Sequence, residues 1–150
     1  MQTRHIRRAV IAAVAIGTGF AWAGPSETCT QGTTRGNWVY TCEGTLPTAG
    51  APANTRLLGL CSASRTGYWD CSGKLNLGGT VLEQTLKGQA YNQSNCTGTI
   101  TYDSTVGGQP AGTLDIFYVI SDGGTAISGL PTNPGVVLAC SLHRIGSRND

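Results

Sequence analysis

The strongest constraint on the fold is the alternation from Thr55 to Ala90, where two hairpin registers can be read from the residues. Thr55 to Ala63 and Tyr68 to Leu77 are joined by Arg65-Thr66-Gly67, with Gly where a left-handed residue is needed. That connection sets Cys61 opposite Cys71. Gly78-Gly79 then makes a two-residue turn into Thr80 to Ala90. In this register one face pairs Lys74 with Glu83, Asp70 with Lys87 and Ser72 with Thr85. The other face gathers Trp69, Cys71, Leu75, Leu77, Leu82 and Leu86. Opposite charges directly across a ladder contribute about 0.2–1 kcal/mol each. A one-residue slip would separate them and mix the two faces. A helix over the last segment competes, because Thr80-x-x-Glu83 fits a capping box and Gly88 fits its end. Only the strand accounts for both sides of the hairpin.

Six cysteines follow this logic outward: Cys29, Cys42, Cys61, Cys71, Cys96 and Cys140. An even number in an exported chain reads as three disulfides. Cys61–Cys71 comes from the hairpin above. A hairpin centred on Arg35-Gly36 sets Cys29 opposite Cys42, and elimination leaves Cys96–Cys140. Zinc is the competing use, but no C-x-x-C spacing occurs and His143 is the only histidine beyond the N-terminal segment.

Export is indicated by the first 23 residues. Arg4, Arg7 and Arg8 form a basic start, Ala9 to Phe20 an apolar stretch, and Ala21-Trp22-Ala23 a cleavage site ahead of Gly24. An uncleaved anchor and twin-arginine export fit less well, and no Cys at the cleavage point supports a lipid anchor. The expected mature chain, 24–150, is a single secreted or periplasmic domain with no membrane span. It keeps seven of the ten Lys/Arg and all eight Asp/Glu, a net of −1. The basicity of the precursor is therefore a sorting feature, and it gives no reason to expect nucleic acid as a partner.

Elsewhere the chain reads as short strands separated by turns. Gly112 to Ser121 is apolar on both faces, with Leu114, Ile116, Tyr118 and Ile120 on one and Phe117 and Val119 on the other, which suits the middle of a packed sheet. Cys96 to Val106 alternates, with Ile100 and Tyr102 on one face, after a polar turn at Tyr91 to Asn95. Val136 to Ile145 is another apolar strand. Gly44 to Asn54 and Asp122 to Gly135, rich in Pro, Gly and small residues, read as loops. The expected fold is all-β, a small antiparallel sandwich or barrel of about seven strands stapled by three disulfides.

Catalytic chemistry is poorly supported. A nucleophilic triad needs a base oriented beside the nucleophile, yet no nucleophile motif surrounds any serine, Ser141 included. His143-Arg144 reads as the solvated end of a strand. Asp103, Asp115 and Asp122 cluster in sequence and Glu43 lies near the first hairpin, but Asp103 and Asp122 suit turns better than a glycosidase pair. No catalytic residue, metal site or cofactor is expected. Exposed aromatics are the better signal. Trp38, Tyr40 and Tyr68 offer rings for stacking on sugars or anchoring a protein, against the alternative of core filling in a chain with two Phe and one Met. Thr97, Thr99 and Thr101 form a short hydroxyl array of the kind that orders ice-like water, although threonine also simply favours the pleat.

The sequence thus leads to an exported, non-catalytic β-module. It would bind a carbohydrate or protein surface, or contribute structurally to the cell envelope or extracellular matrix. A self-assembling filament or pilus subunit, completed by the arm Gly24 to Thr28, and a small secreted enzyme or inhibitor presenting Asp122 to Gly135 are the alternatives.

Overall fold

The computed structural model describes residues 28–146; the leader and nearly all of the N-terminal arm lie outside them. Eight strands run up and down in chain order: β1 (Gly36–Leu46), β2 (Ala53–Ala63), β3 (Tyr68–Leu77), β4 (Thr80–Asn92), β5 (Thr97–Val106), β6 (Gln109–Ser121), β7 (Ala126–Pro131) and β8 (Val137–Ile145). Each pairs antiparallel with the next, and β8 returns to β1 to close a barrel. The hairpin registers read from sequence are those observed: Cys61 faces Cys71, and Lys74, Asp70 and Ser72 face Glu83, Lys87 and Thr85. Ion pairs join Lys74 to Glu83 and Lys87 to Asp70. The segment after Gly79 is a strand and not a helix.

Three expectations are corrected. Asp122 to Gly135 is not one long loop, because Ala126–Pro131 forms β7, whose six residues carry only one buried side chain, Ile127, and so give a weak apolar signal. Gly112 to Ser121 is central in the sheet but has only one packed face. Barrel closure turns the other to solvent, leaving Phe117 and Val119 exposed. The disulfides are Cys29–Cys96, Cys42–Cys140 and Cys61–Cys71. There is no Cys29 hairpin: a 3-10 turn, Gln31–Thr34, occupies that segment before β1 begins. Cys42 instead faces Cys140 across the β1–β8 seam, a pairing that exists only once the first and last strands meet.

Closing eight strands leaves an interior just wide enough for side chains to fill. Trp38, Tyr40, Trp69, Ile100, Tyr102, Tyr118 and Ile120 fill it, with the three disulfides among them. The large rings fit because glycines lie beside them. The Tyr40 ring stands over Gly59 and its hydroxyl over Gly73, Tyr102 lies against Gly88, and Tyr118 covers Gly98. A Cβ at Gly98 would sit 2.4 Å from the Tyr118 ring. Small residues in the row thus receive large ones from neighbouring strands.

The two ends are closed by different chemistry. At one, the Asn92 amide donates to the carbonyls of Thr30 and Gln31, at 3.0 and 3.1 Å, and accepts from the Tyr118 hydroxyl. Trp38 Nε1 donates to the Thr34 carbonyl at 2.9 Å. Arg144 lies over the Trp38 ring, 4.7 Å from its centre, and donates to the carbonyls of Thr33, Arg35 and Gly124. Arg144 is therefore a structural clasp and not, as read from sequence, a solvated strand end. At the other end half-buried aliphatics close the barrel, among them Leu46, Leu77, Val106, Leu114 and Val136, beside the buried Thr55 and Gln84.

Burial raises the Tyr40 and Tyr118 phenols from 10.0 to about 12. Burial raises Tyr102 as well, with the neighbouring Tyr118 and Tyr40 phenols adding to it. A phenol raised in the folded state binds its proton more tightly there than in the unfolded chain. Stability is therefore unaffected below about pH 10 and falls as pH rises through about 12. Denaturant unfolding between pH 8 and pH 12 (roughly the span over which tyrosine ionises) should show loss only in the alkaline part. A flat alkaline limb would contradict the burial of these hydroxyls.

Candidate functional site

Of the ring residues singled out in sequence, Trp38 and Tyr40 lie in the core and Tyr68 lies on the surface. The interior does not offer a ligand chamber among the described residues. Its cavity, bounded by Trp69, Ile100, Tyr102, Tyr118 and Ile127, is about 30 Å³, whereas pockets for small molecules run to about 300–1,000 Å³.

The outer face is not uniform. Across β1 to β4 it carries charges and their partners, including the Glu43–Arg56 ion pair at 3.5 Å. Leu58 and Leu60 are exposed there, beside an open depression of about 350 Å³ at Leu58 that Glu43, Arg56 and Lys74 also line. Charges at mid-strand positions are the opposite of the apolar belt that a membrane-spanning barrel presents to lipid. Among the described residues no helix is long and apolar enough to cross a membrane.

One row across β4 to β7 differs. The registers set Tyr91 opposite Thr99, Thr99 opposite Phe117 and Phe117 opposite Leu130, so one row crosses four strands without a charge. Tyr91 is 65% exposed, Phe117 43% and Leu130 59%. Tyr68 faces Gln89, two residues before Tyr91, which makes Tyr68 and Tyr91 diagonal neighbours on the same face. Val119, 45% exposed, extends the patch beyond Phe117. A parallel row holds Gln89, Thr101 and Asp115, with Thr101 donating to the Asp115 carboxylate at 2.6 Å.

These rings take the outside because strand alternation gives them no choice. Tyr118 and Ile120 fill the core from β6, so Phe117 and Val119 must face away. The signal was present in sequence as a strand apolar on both faces. Tyr91 was missed because it stands in a stretch that reads as a polar turn, whereas β4 runs on to Asn92.

Comparison with family models, characterised proteins and solved structures finds no match. The site must therefore be read from its own chemistry.

The acids and the histidine singled out in sequence are spread over β1, β5, β6, the turn after β6 and β8. His143 is exposed on β8 between Val39 and Ala126, neither of which can orient an imidazole. Ser141, on the same strand face, shares a hydrogen bond of 2.9 Å with the Thr41 hydroxyl. Asp103 is not a turn residue; it lies within β5 opposite Lys87. Asp115 accepts from Thr101, and Asp122 begins a short 3-10 turn. No group of three or more His, Cys, Asp or Glu among the described residues can hold a metal ion. The hydroxyls of Thr97 and Thr101 are drawn to Asn95 and Asp115.

Proposed function

We propose that this chain is an exported, non-catalytic module that binds a carbohydrate or protein surface with the outer face of β3 to β7. The observation that carries the reading is the uncharged row Tyr91, Thr99, Phe117 and Leu130, exposed across four neighbouring strands. A contiguous exposed apolar patch supports an interaction site. Three disulfides suit an oxidising compartment, consistent with removal of Met1–Ala23 by a signal peptidase. Every strand has a neighbour on both sides, which disfavours a filament completed by a borrowed strand.

The test is retention of the exported protein on immobilised polysaccharides and on immobilised protein fractions. Phe117→Ala is expected to weaken retention by about tenfold, in the range of an anchoring aromatic, and His143→Ala to leave it unchanged. A hydrolytic activity abolished by His143→Ala would move the protein to the enzyme class. Intact mass should give a chain beginning at Gly24 with no free thiol.

A further inference from the structure

We infer that the ligand of this face is an extended, uncharged glycan chain lying across Tyr68, Tyr91 and Phe117; this rests on the binding-module reading above.

Spacing is the first support. Diagonal neighbours across an antiparallel pair stand about 7–8 Å apart, which sets Tyr68 from Tyr91. Tyr91 and Phe117 are separated by two strand intervals, about 10 Å. Three exposed rings therefore follow one track of roughly 18 Å by those spacings. A ring face stacks on the C–H face of a sugar, and successive rings take successive parts of a linear chain.

The polar row is the second support. Gln89, Thr101 and Asp115 border the ring track and Thr99 stands within it, offering amide, hydroxyl and carboxylate groups to sugar hydroxyls. Gln89 is held by a 2.7 Å bond from its Nε2 to the Thr66 carbonyl, so its amide oxygen is presented in a fixed position. Charge decides the class of sugar. No Lys or Arg stands in either row; Lys87, two residues from Gln89, lies between Asp70 and Asp103, and Arg65 lies in the turn beside Thr66. Nothing in the track would balance an anionic polysaccharide.

Shape decides against a second copy, and area against a protein partner. The outside of a closed eight-stranded barrel is convex, and two convex faces touch along a line. A patch four strands wide covers a few hundred Å² at the standard strand spacing, well below the ~800 Å² per partner of a stable protein interface. A linear chain follows a convex track without that requirement.

The experiment is calorimetric titration of the exported protein with neutral β-linked hexasaccharides of glucose, xylose and N-acetylglucosamine, alongside oligogalacturonate as the anionic counterpart. At least one neutral hexasaccharide should bind, more tightly than its disaccharide, and oligogalacturonate should not. Tyr91→Ala and Phe117→Ala should each weaken that binding by about tenfold, and Leu58→Ala, outside the row, by less than twofold. Circular dichroism confirms folding of each variant, and Phe117→Tyr should restore binding. Glycan binding indifferent to both ring substitutions overturns the inference, as does tighter binding of the anionic chain. Binding to a protein, lost in Phe117→Ala and Leu130→Ala, overturns the glycan while leaving the binding module standing. Retention on neither glycan nor protein overturns both.

Discussion

Replacing Cys42 and Cys140 together by alanine is expected to lower the unfolding free energy by about 5 kcal/mol, the largest loss of the three bridges. The two residues are 98 apart in sequence, and cross-linking a loop of that length removes the most freedom from the unfolded chain. The Cys29–Cys96 bridge, with a separation of 67, should contribute about 4 kcal/mol, and Cys61–Cys71, with a separation of 10, about 3 kcal/mol. A domain of this size has a total stability of about 5–15 kcal/mol, so the first variant should lose about a third of it or more. Structure adds to the entropy, since Cys42–Cys140 is buried on the seam where β1 meets β8. Urea unfolding of the three paired variants gives the order directly. The smallest loss at Cys42–Cys140 would contradict a barrel closed at that seam.

A second large effect is expected at Gly98. Its added Cβ in Gly98→Ala would fall within 2.4–2.6 Å of three Tyr118 atoms. Overpacking of this kind costs about 1–3 kcal/mol. All three atoms belong to the far part of one side chain, so trimming that side chain should relieve the clash. In a Tyr118→Ala background, itself destabilised by about 3–5 kcal/mol from the lost aromatic packing, Gly98→Ala should be nearly neutral. The coupling in the double-mutant cycle should be about 1–3 kcal/mol. Gly59 supplies the contrast. Its added Cβ would meet the Ser72 carbonyl oxygen at 2.3 Å as well as the Tyr40 ring at 2.6 Å. Removing the Tyr40 ring leaves the backbone clash, and Gly59→Ala should stay destabilising in a Tyr40→Ala background. Equal rescue at both glycines would show that the rings do not occupy the places assigned to them.

These contrasts mark what was legible in the sequence. Local pairing was, because Lys74 with Glu83 and Asp70 with Lys87 report register through residues close in the chain. Seam pairing was not. Nothing near Cys42 in sequence points to Cys140, and a plausible local partner, Cys29, stood nearer. The short β7 was hidden by its Gly and Pro content, and Pro131 ends it. Trp38 and Tyr40 illustrate the limit for function. Ring residues on a strand alternate between core and surface, and parity cannot say which side is inside until the core is known. Closure settled it: Trp38 and Tyr40 face inward, while Tyr68, Tyr91 and Phe117 face outward. The same geometry converts a strand apolar on both faces from a buried element into the source of an exposed patch.

The central claim is that the interior of the barrel holds the fold together while the outer face of β3 to β7 binds. A chemical-shift map of the exported protein titrated with neutral β-linked hexasaccharides tests it most directly. The predicted result is a set of changes confined to the outer-face residues Tyr68, Gln89, Tyr91, Thr99, Thr101 and Phe117, with Trp38, Tyr40 and Tyr102 unmoved. Changes centred on Trp38, Tyr40 and Tyr102, or on Leu58 and Leu60 across the barrel, would contradict it.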